Sequence, residues 1–404
     1  MILVGNYPPF INSAARLYSQ LAESLSEMGH NVTVITQHPG KSDRIDKGHS
    51  YFKTKSATMS YNGVTILRVS TLSFLKRVPG GKALRFYLSC LLFAFKGVFA
   101  KRPDVILVYS PPLYMGISGY IISLFKRTRF VFNMQDIHPK VLFDHGYINH
   151  PILKWLMLQM EDTCYRAAHS FIVYSAGNKN YLLQKGIEKK ISLIPNWIDI
   201  NSTIPSSKID LSSTSKKNDQ KFALSYIGSM EESQGLELIV EAAGLVKNEN
   251  IVFHLAGDGP VKPILASMIR EKKLHNIFLH PVQLHDHYAQ FIESADVCLL
   301  PLSKQAPLPT VPGKLPEFMV YGKPILAIIN LEGDAAALIK EADCGICVTP
   351  GDLKNFLQAV QTLYEDKELR DRLGRQGCLF AEQKLSRTVC VRQYENVLLE
   401  ASMS

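Results

Sequence analysis

Lys314 stands three residues before Glu317 in the segment PTVPGKLPEFMVYGKP, Pro309 to Pro324, where both precede an apolar run and a Gly-Lys-Pro stop. An ammonium and a carboxylate about one helical turn apart suit a ligand with one anionic and one hydroxylated end. If a helix starts near Lys314, its unpaired N–H groups add donors for a diphosphate, and Glu317 can accept hydrogen bonds from ribose hydroxyls. The same spacing also arises where an early Glu only complements the helix dipole. Two glycine turns offer a matching shape: Gly228-Ser229 after one apolar run, and Gly257-Asp258-Gly259-Pro260 after another. Glycines at strand ends let backbone approach a ligand closely, although an ordinary turn has the same composition.

Two further groups lie in the first half. Gln135-Asp136-Ile137-His138-Pro139 follows the apolar run 130–134 and places a carboxylate and an imidazole within three residues, the types that move protons. His138 is either a group that approaches a reacting atom or a loop histidine. Gly5-Asn6-Tyr7-Pro8-Pro9 follows the first apolar run, and Asn12, Ser13 and Arg16 lead into a helical pattern whose amino end can receive an anion or simply turn the chain. No G-x-G-x-x-G occurs, and no two Asp residues stand two positions apart, so the Asp-x-Asp arrangement that holds a divalent ion is missing. His285-Asp286-His287 lacks further ligands at recognisable spacing, and Cys344-Gly345-Ile346-Cys347 reads as structural; no metal is expected.

These residues must be positioned by a chain of 404 residues, long enough for two domains. Short apolar runs at Ile2–Val4, Val32–Thr36, Val105–Tyr109, Phe130–Asn133 and Phe171–Tyr174 alternate with amphipathic helical patterns, which predicts an α/β lobe with a parallel sheet over 1–200. The Ser- and Lys-rich segment 201–221 has no periodicity and reads as a linker. The rhythm then restarts at Ala223–Ile227 and continues through Ile251–Ala256, Val297–Leu300, Pro324–Ile328 and Ile346–Val348, giving a second α/β domain over 222–385. Residues 386–404 carry an apolar face and read as a closing helix available to pack on the first domain.

Charge separates the halves: residues 1–200 carry a net +13 and 201–404 a net −4, within a total of +9. No acidic residue lies between Asp46 and Asp104, where Lys53, Lys55, Arg68, Arg77, Lys82, Arg85, Lys96, Lys101 and Arg102 accumulate. That stretch should seek anions. Within it, Leu84 to Ala100 sets Phe86, Leu88, Leu91, Leu92, Phe95 and Phe99 among cations, the composition of an interfacial helix on anionic lipid, or else of a core helix with a basic end. Aromatic residues on an apolar face argue against nucleic acid as the polyanion. No stretch is long and apolar enough to predict a spanning helix. Seven cysteines, most in apolar runs, predict no disulfide framework, and the first residues lack a signal-peptide pattern, so the expected location is cytoplasmic and peripheral to the membrane.

Read in order, several segments carry a resemblance: residues 7–36 with their Gly-His-x-Val-Thr-Val ending, IPNWID at 194–199, IGSMEESQGLELIVEAA at 227–243, LAGDGP at 255–260, ADVCLLPL at 295–302 and VPGKLPEFMVYGKPILA at 311–327. Together they resemble the family 4 retaining glycosyltransferases of the GT-B fold, especially the bacterial branch that includes the N-acetyl-L-fucosamine transferases of O-antigen and capsule synthesis. The resemblance implies two Rossmann-like domains facing across a cleft. It implies transfer of an N-acetylated 6-deoxyhexosamine from a UDP-linked donor to a polyprenyl-diphosphate-linked acceptor, with retention; with no Asp-x-Asp in the chain, neither a metal nor another cofactor is expected. Donor contacts fall on Gly228, Ser229, Gln234, Gly257, Asp258, Gly259, Lys314, Leu315 and Glu317; catalytic roles on Asp136, His138, Lys314 and Glu317; acceptor contacts on Asn12, Ser13 and Arg16. Ser229 and Gln234 replace the family's Arg and Lys, Pro309 replaces a glutamate eight positions before Glu317, and Gln135 occupies the usual histidine position. Two other classes share the architecture: an isomerase like the UDP-N-acetylglucosamine 2-epimerases, and a degenerate nucleotide-binding scaffold.

Overall fold

The computed structural model describes residues 1–40, 45, 58–70, 81–144, 146–200, 221–283, 286–306 and 311–403. The expected linker, apart from Lys221, lies outside them, as do Lys53, Lys55, Arg77, His285 and Pro309. The chain divides into two compact units, Met1–Asn196 with Thr388–Ser404, and Trp197–Arg387.

The first unit contains β1 (Ile2–Leu3), α1 (Ser13–Glu27), β2 (Thr33–Gln37), β3 (Thr58–Tyr61), β4 (Val64–Val69), α2 (Gly81–Val98), β5 (Ile106–Ser110), α3 (Tyr114–Lys126), β6 (Phe130–Met134), α4 (Lys140–Asp144), α5 (Pro151–Ala167), β7 (Ser170–Val173), α6 (Ala176–Gln184) and β8 (Ile191–Leu193). Its sheet has the order β3-β4-β2-β1-β5-β6-β7-β8 and is parallel except for β3, which runs antiparallel to β4. Every residue of β6 and β7 is buried, because helices cover both faces of a parallel sheet and leave no polar side. Asn133 is the polar member of β6, and its Nδ2 donates to the hydroxyl of Tyr18, 2.6 Å away on α1.

The second unit contains β9 (Phe222–Ile227), α7 (Glu237–Leu245), β10 (Ile251–Ala256), α8 (Lys262–Glu271), β11 (Ile277–His280), α9 (Asp286–Ser294), β12 (Val297–Pro301), α10 (Lys314–Val320), β13 (Ile325–Ile328), α11 (Asp334–Glu341), β14 (Gly345–Val348), α12 (Leu353–Glu365) and α13 (Lys367–Phe380). Its sheet is parallel throughout, in the order β11-β10-β9-β12-β13-β14. Alternation along β12 fills two cores, with Val297 and Leu299 on one face and Cys298 and Leu300 on the other. The strand order reverses between β9 and β12, and the crevice at the carboxyl ends of such a pair is where open α/β sheets bind ligands.

A last helix, α14 (Arg387–Met403), falls mostly within the first unit. It buries Cys390, Val391, Tyr394 and Val397, and the Tyr394 hydroxyl accepts a second hydrogen bond from Asn133 at 2.5 Å. The final turns of the chain thus close a polar link to the middle of the first sheet.

Candidate active site

In the second unit the site grows from two glycine turns pressed together. β9 ends at Ile227 and turns at Gly228, φ +152°, while β10 ends at Ala256 and turns at Gly257, φ +151°. A Cβ on Gly257 would lie 1.8 Å from the Gly228 carbonyl oxygen, so both space and backbone conformation demand glycine. A Cβ on Gly228 would lie 2.3 Å from Lys314 Nζ, so the ammonium rests directly against this turn. The turn after β10 is shaped by Asp258, whose carbonyl accepts from Met230 N at 2.8 Å and whose Oδ1 accepts from Gly259 N at 3.0 Å.

Lys314 is the first residue of α10 and enters this crevice from the β12 side. Its Nζ is shielded from solvent, has no hydrogen-bond partner, and sits 4.2 Å from the centroid of the fully buried Tyr226 ring. Cation–π attraction of this kind contributes about 0.5–2 kcal/mol, less than the hydration an ammonium gives up. Burial accordingly pushes the Lys314 pKa down to about 8, with Glu317 pulling the other way. The ammonium remains largely charged at neutral pH and is strongly attractive to an anion. The Tyr226 hydroxyl donates to the Ser229 carbonyl and lies 3.3 Å from Gln234 Oε1, so it ties together the two positions where the family resemblance expects Arg and Lys.

One turn along α10, Glu317 accepts a hydrogen bond from the Tyr288 hydroxyl at Oε2. Burial and the adjacent carboxylate hold the Tyr288 phenol far above its usual range, so it stays a donor and fixes the carboxylate's orientation. Two expectations need correction. Leu315 is fully buried in the core beneath α10, so its side chain is packing rather than a donor contact. The amino end of α10 also offers fewer donors than expected, because Leu315 N already bonds the Pro312 carbonyl at 3.0 Å and Pro316 has no N–H. An anion placed here would depend correspondingly more on the charge of Lys314.

In the first unit the loop after β6 is held by amides. Gln135 is 8% exposed, and both ends of its side chain are used: Nε2 donates to Asn133 Oδ1 at 3.0 Å, and Oε1 accepts from Asn196 Nδ2 at 2.8 Å. Its carbonyl accepts from Asn178 Nδ2 at 2.9 Å, and its N–H donates to the Ser110 carbonyl at 2.9 Å. Gln135 is therefore a strut, and Asp136 and His138 are the chemical groups the loop presents. Asp136 is exposed, yet the protein around its carboxyl removes enough water to raise its pKa, an effect His138 opposes. His138 is half-buried, and that burial lowers its pKa, so the imidazole is neutral at pH 7 and can take a proton. Asn12 caps α1 by accepting from Ala15 N at 2.9 Å, while Ser13 and Arg16 are exposed on the first turn.

The sequence reading missed Tyr226 and Tyr288, the two phenols that orient Lys314 and Glu317. A usable signal existed for Tyr226, a polar-tipped aromatic two residues before a glycine turn. Burial pushes the thiols of Cys344 and Cys347 up to about 12 and about 11, and neither is in a disulfide, so this pair lacks the thiolate character of a redox motif. Among the described residues no cluster of three or more His, Cys, Asp or Glu side chains could hold a metal ion.

Comparison with known proteins gives this geometry a context. Residues 14–202 match the family model described as Glycosyltransferase Family 4, and residues 221–366 the model described as Glycosyl transferases group 1. WcaI of Escherichia coli (strain K12), which is named as a colanic acid biosynthesis glycosyl transferase, is 22% identical across 97% of each chain. The alpha-D-kanosaminyltransferase of Streptomyces kanamyceticus is 26% identical over 44% of this chain and 45% of its own. Among solved structures, HepE of Anabaena in complex with UDP superposes with a TM-score of 0.71 at 16% identity over 99% of both chains. A sucrose-phosphate synthase of Thermosynechococcus elongatus gives 0.72 at 15% identity over 99% of this chain and 98% of that one. With a family 4 domain followed by a group 1 domain, each built on a parallel or largely parallel sheet, the chain is a glycosyltransferase of the GT-B fold.

Proposed function

We propose that the protein moves a sugar from a UDP-linked donor to a polyprenyl-diphosphate-linked acceptor in surface-polysaccharide assembly. The observation that carries the donor half is Lys314: a solvent-shielded ammonium with no hydrogen-bond partner, set against a glycine turn at the strand-order reversal of the second sheet. A nucleoside diphosphate supplies the charge this ammonium lacks, and HepE, a protein of similar fold, binds UDP. Glu317, oriented by Tyr288, takes the hydroxylated end of the donor. As the sugar–phosphate bond breaks, negative charge grows on the leaving diphosphate, and Lys314 stabilises that charge more strongly than the ground state. Asp136 and His138 are the groups assigned to the reacting sugar, and Asn12, Ser13 and Arg16 those assigned to the acceptor.

For the sugar we assign an N-acetylated 6-deoxyhexosamine, transferred with retention, on the resemblance of residues 227–243; the leaving phosphate then takes the acceptor proton. The role in surface polysaccharide follows the naming of WcaI for colanic acid biosynthesis. A lipid-linked acceptor brings an anionic membrane into the scheme, in keeping with the net +13 of residues 1–200, and places the work at the cytoplasmic face. The test is a transfer assay with UDP-sugars and short polyprenyl-linked saccharides, alongside incubation with donor alone. Product that requires acceptor supports the reading. Conversion of donor without acceptor points instead to an isomerase, and surface-polysaccharide output left intact in cells by Lys314→Ala or Glu317→Ala points to a scaffold.

A further inference from the structure

Three helices on one side of the first sheet are apolar on their outer face as well as their inner one. On α2, Cys90, Phe93 and Ala94 are buried, yet Tyr87, Leu91 and Phe95, spaced four residues apart, are exposed, and Phe99 continues the stripe at 75% exposure. On α3, Leu124 and Phe125 are exposed, and on α5 so are Ile152, Trp155 and Leu156. The helices are neighbours: Tyr87, Leu91, Ile117, Ile121 and Met160 line one shallow groove of about 360 Å³ among them. An exposed apolar face shared by three neighbouring helices marks an interaction site.

Charge identifies the partner. Neither α2 nor α3 contains an Asp or Glu. Their carboxyl ends are tied together, Lys126 Nζ donating to the Ala100 carbonyl at 2.7 Å and Arg102 to the Arg127 carbonyl at 3.2 Å. The Phe95–Phe99 pair, with ring centroids 4.5 Å apart, and Leu124–Phe125 are thereby gathered among Lys96, Lys101, Arg102, Lys126 and Arg127. Apolar tips inside a cationic rim match acyl chains beneath anionic headgroups. A second copy of the same face would set cation against cation. Among the described residues no helix is long and apolar enough to cross a membrane, so the fit is to the bilayer surface. Because α5 follows β6, its first turn, with Ile152 and Trp155, lies toward the carboxyl end of the sheet, the end that bears Asp136 and His138.

We propose that the outer face of α2, α3 and α5 docks on an anionic lipid bilayer, with Phe95, Phe99, Phe125 and Trp155 entering the headgroup–acyl boundary. This deepens the lipid-linked acceptor reading by naming the surface that meets the membrane. The chain supplies its own probe, since it has 2 Trp residues, of which Trp155 is 59% exposed and Trp197 4%. The full chain, without nucleotide or acceptor, is mixed with phosphatidylcholine vesicles with and without about one-third phosphatidylglycerol at low salt. Matched vesicles carry bromine on the acyl chains as a contact quencher. Expected are a blue shift and at least twofold quenching of the Trp155 emission on anionic vesicles only, both absent in Trp155→Phe. Phe99→Glu with Phe125→Glu should weaken vesicle binding at least tenfold with unchanged thermal unfolding and unchanged UDP binding. Equal quenching in Trp155→Phe, no quenching on anionic vesicles, or a blue shift that follows self-association without lipid would overturn the docking face. None of these outcomes bears on sugar transfer, which is read separately with donor and acceptor.

Discussion

The two strand-end loops that face chemistry in this protein are built on opposite principles. In the loop after β6, every hydrogen-bonding end of the Gln135 side chain is matched within the protein, through Asn133, Asn196 and the tyrosines beyond them. At the turns after β9 and β10, a charged side chain is buried with an aromatic face for company and no hydrogen-bond acceptor. A satisfied network specifies a shape, whereas an uncompensated buried charge costs stability and is kept where something else uses it. Under the proposed function, the first loop is a scaffold for Asp136 and His138, and the second is the electrostatic working part.

Perturbing each side should separate these roles. Lys314→Met is expected to lower kcat for transfer by about 100- to 1000-fold, the range for removing one preorganised stabiliser of a leaving anion. The same variant should melt higher than the parent without ligand, because it removes a buried charge. A depressed Lys pKa means that the folded state penalises the protonated form, so this gain is full below about pH 8 and fades as pH rises toward the ordinary lysine range. Thermal unfolding at pH 7 and pH 10 checks both sign and trend. Gly228→Ala, whose Cβ would fall on the ammonium and whose φ of +152° disfavours any side chain, should reduce transfer by a comparable factor and lower the melting temperature as well, seen by assaying transfer and melting in parallel.

On the scaffold side, Gln135→Leu strands Asn133 Oδ1 and Asn196 Nδ2 and should cost about 1–3 kcal/mol in denaturant unfolding, while UDP binding by the second unit is unchanged. If Gln135→Leu instead abolishes UDP binding and leaves stability intact, the contrast between the loops is lost. Asn12→Ala should cost about 1 kcal/mol through loss of the α1 cap, with the acceptor KM measured to show whether Asn12 does more than cap.

Both sheets were largely legible because parallel strands buried on two faces read as short apolar runs, and those at Phe130–Asn133, Ile251–Ala256 and Val297–Leu300 fall within one residue of β6, β10 and β12. The strands that escaped notice are marginal: Ile191–Leu193 of β8 is half-buried to exposed, and only Ile277 is buried in β11, so neither offers an apolar run. The β3–β4 hairpin left a signal that went unread, Asn62-Gly63 with both residues at positive φ, the favoured two-residue hairpin turn. In the candidate site, Lys314, Glu317 and the glycines could be named from spacing; Tyr226 left its signal beside a glycine turn, whereas the Tyr288 phenol reaches Glu317 from α9, a contact that no local pattern encodes. The Leu315 side chain escaped for the complementary reason: the next residue lies about 100° round the helix, and that rotation turns it from the crevice into the core.

The central claim is that the buried Lys314 ammonium receives the donor diphosphate, and calorimetric titration of UDP against the parent and Lys314→Met between pH 7 and about pH 9.5 tests it most directly. Titration of UDP itself affects both proteins alike, so the difference between them reports the lysine. The expected result is much tighter binding by the parent at pH 7, with an advantage that shrinks as pH rises beyond about 8, where the free enzyme's ammonium loses its proton. Equal affinity of the two proteins at pH 7, or a parent advantage that stays constant across the range, would contradict it.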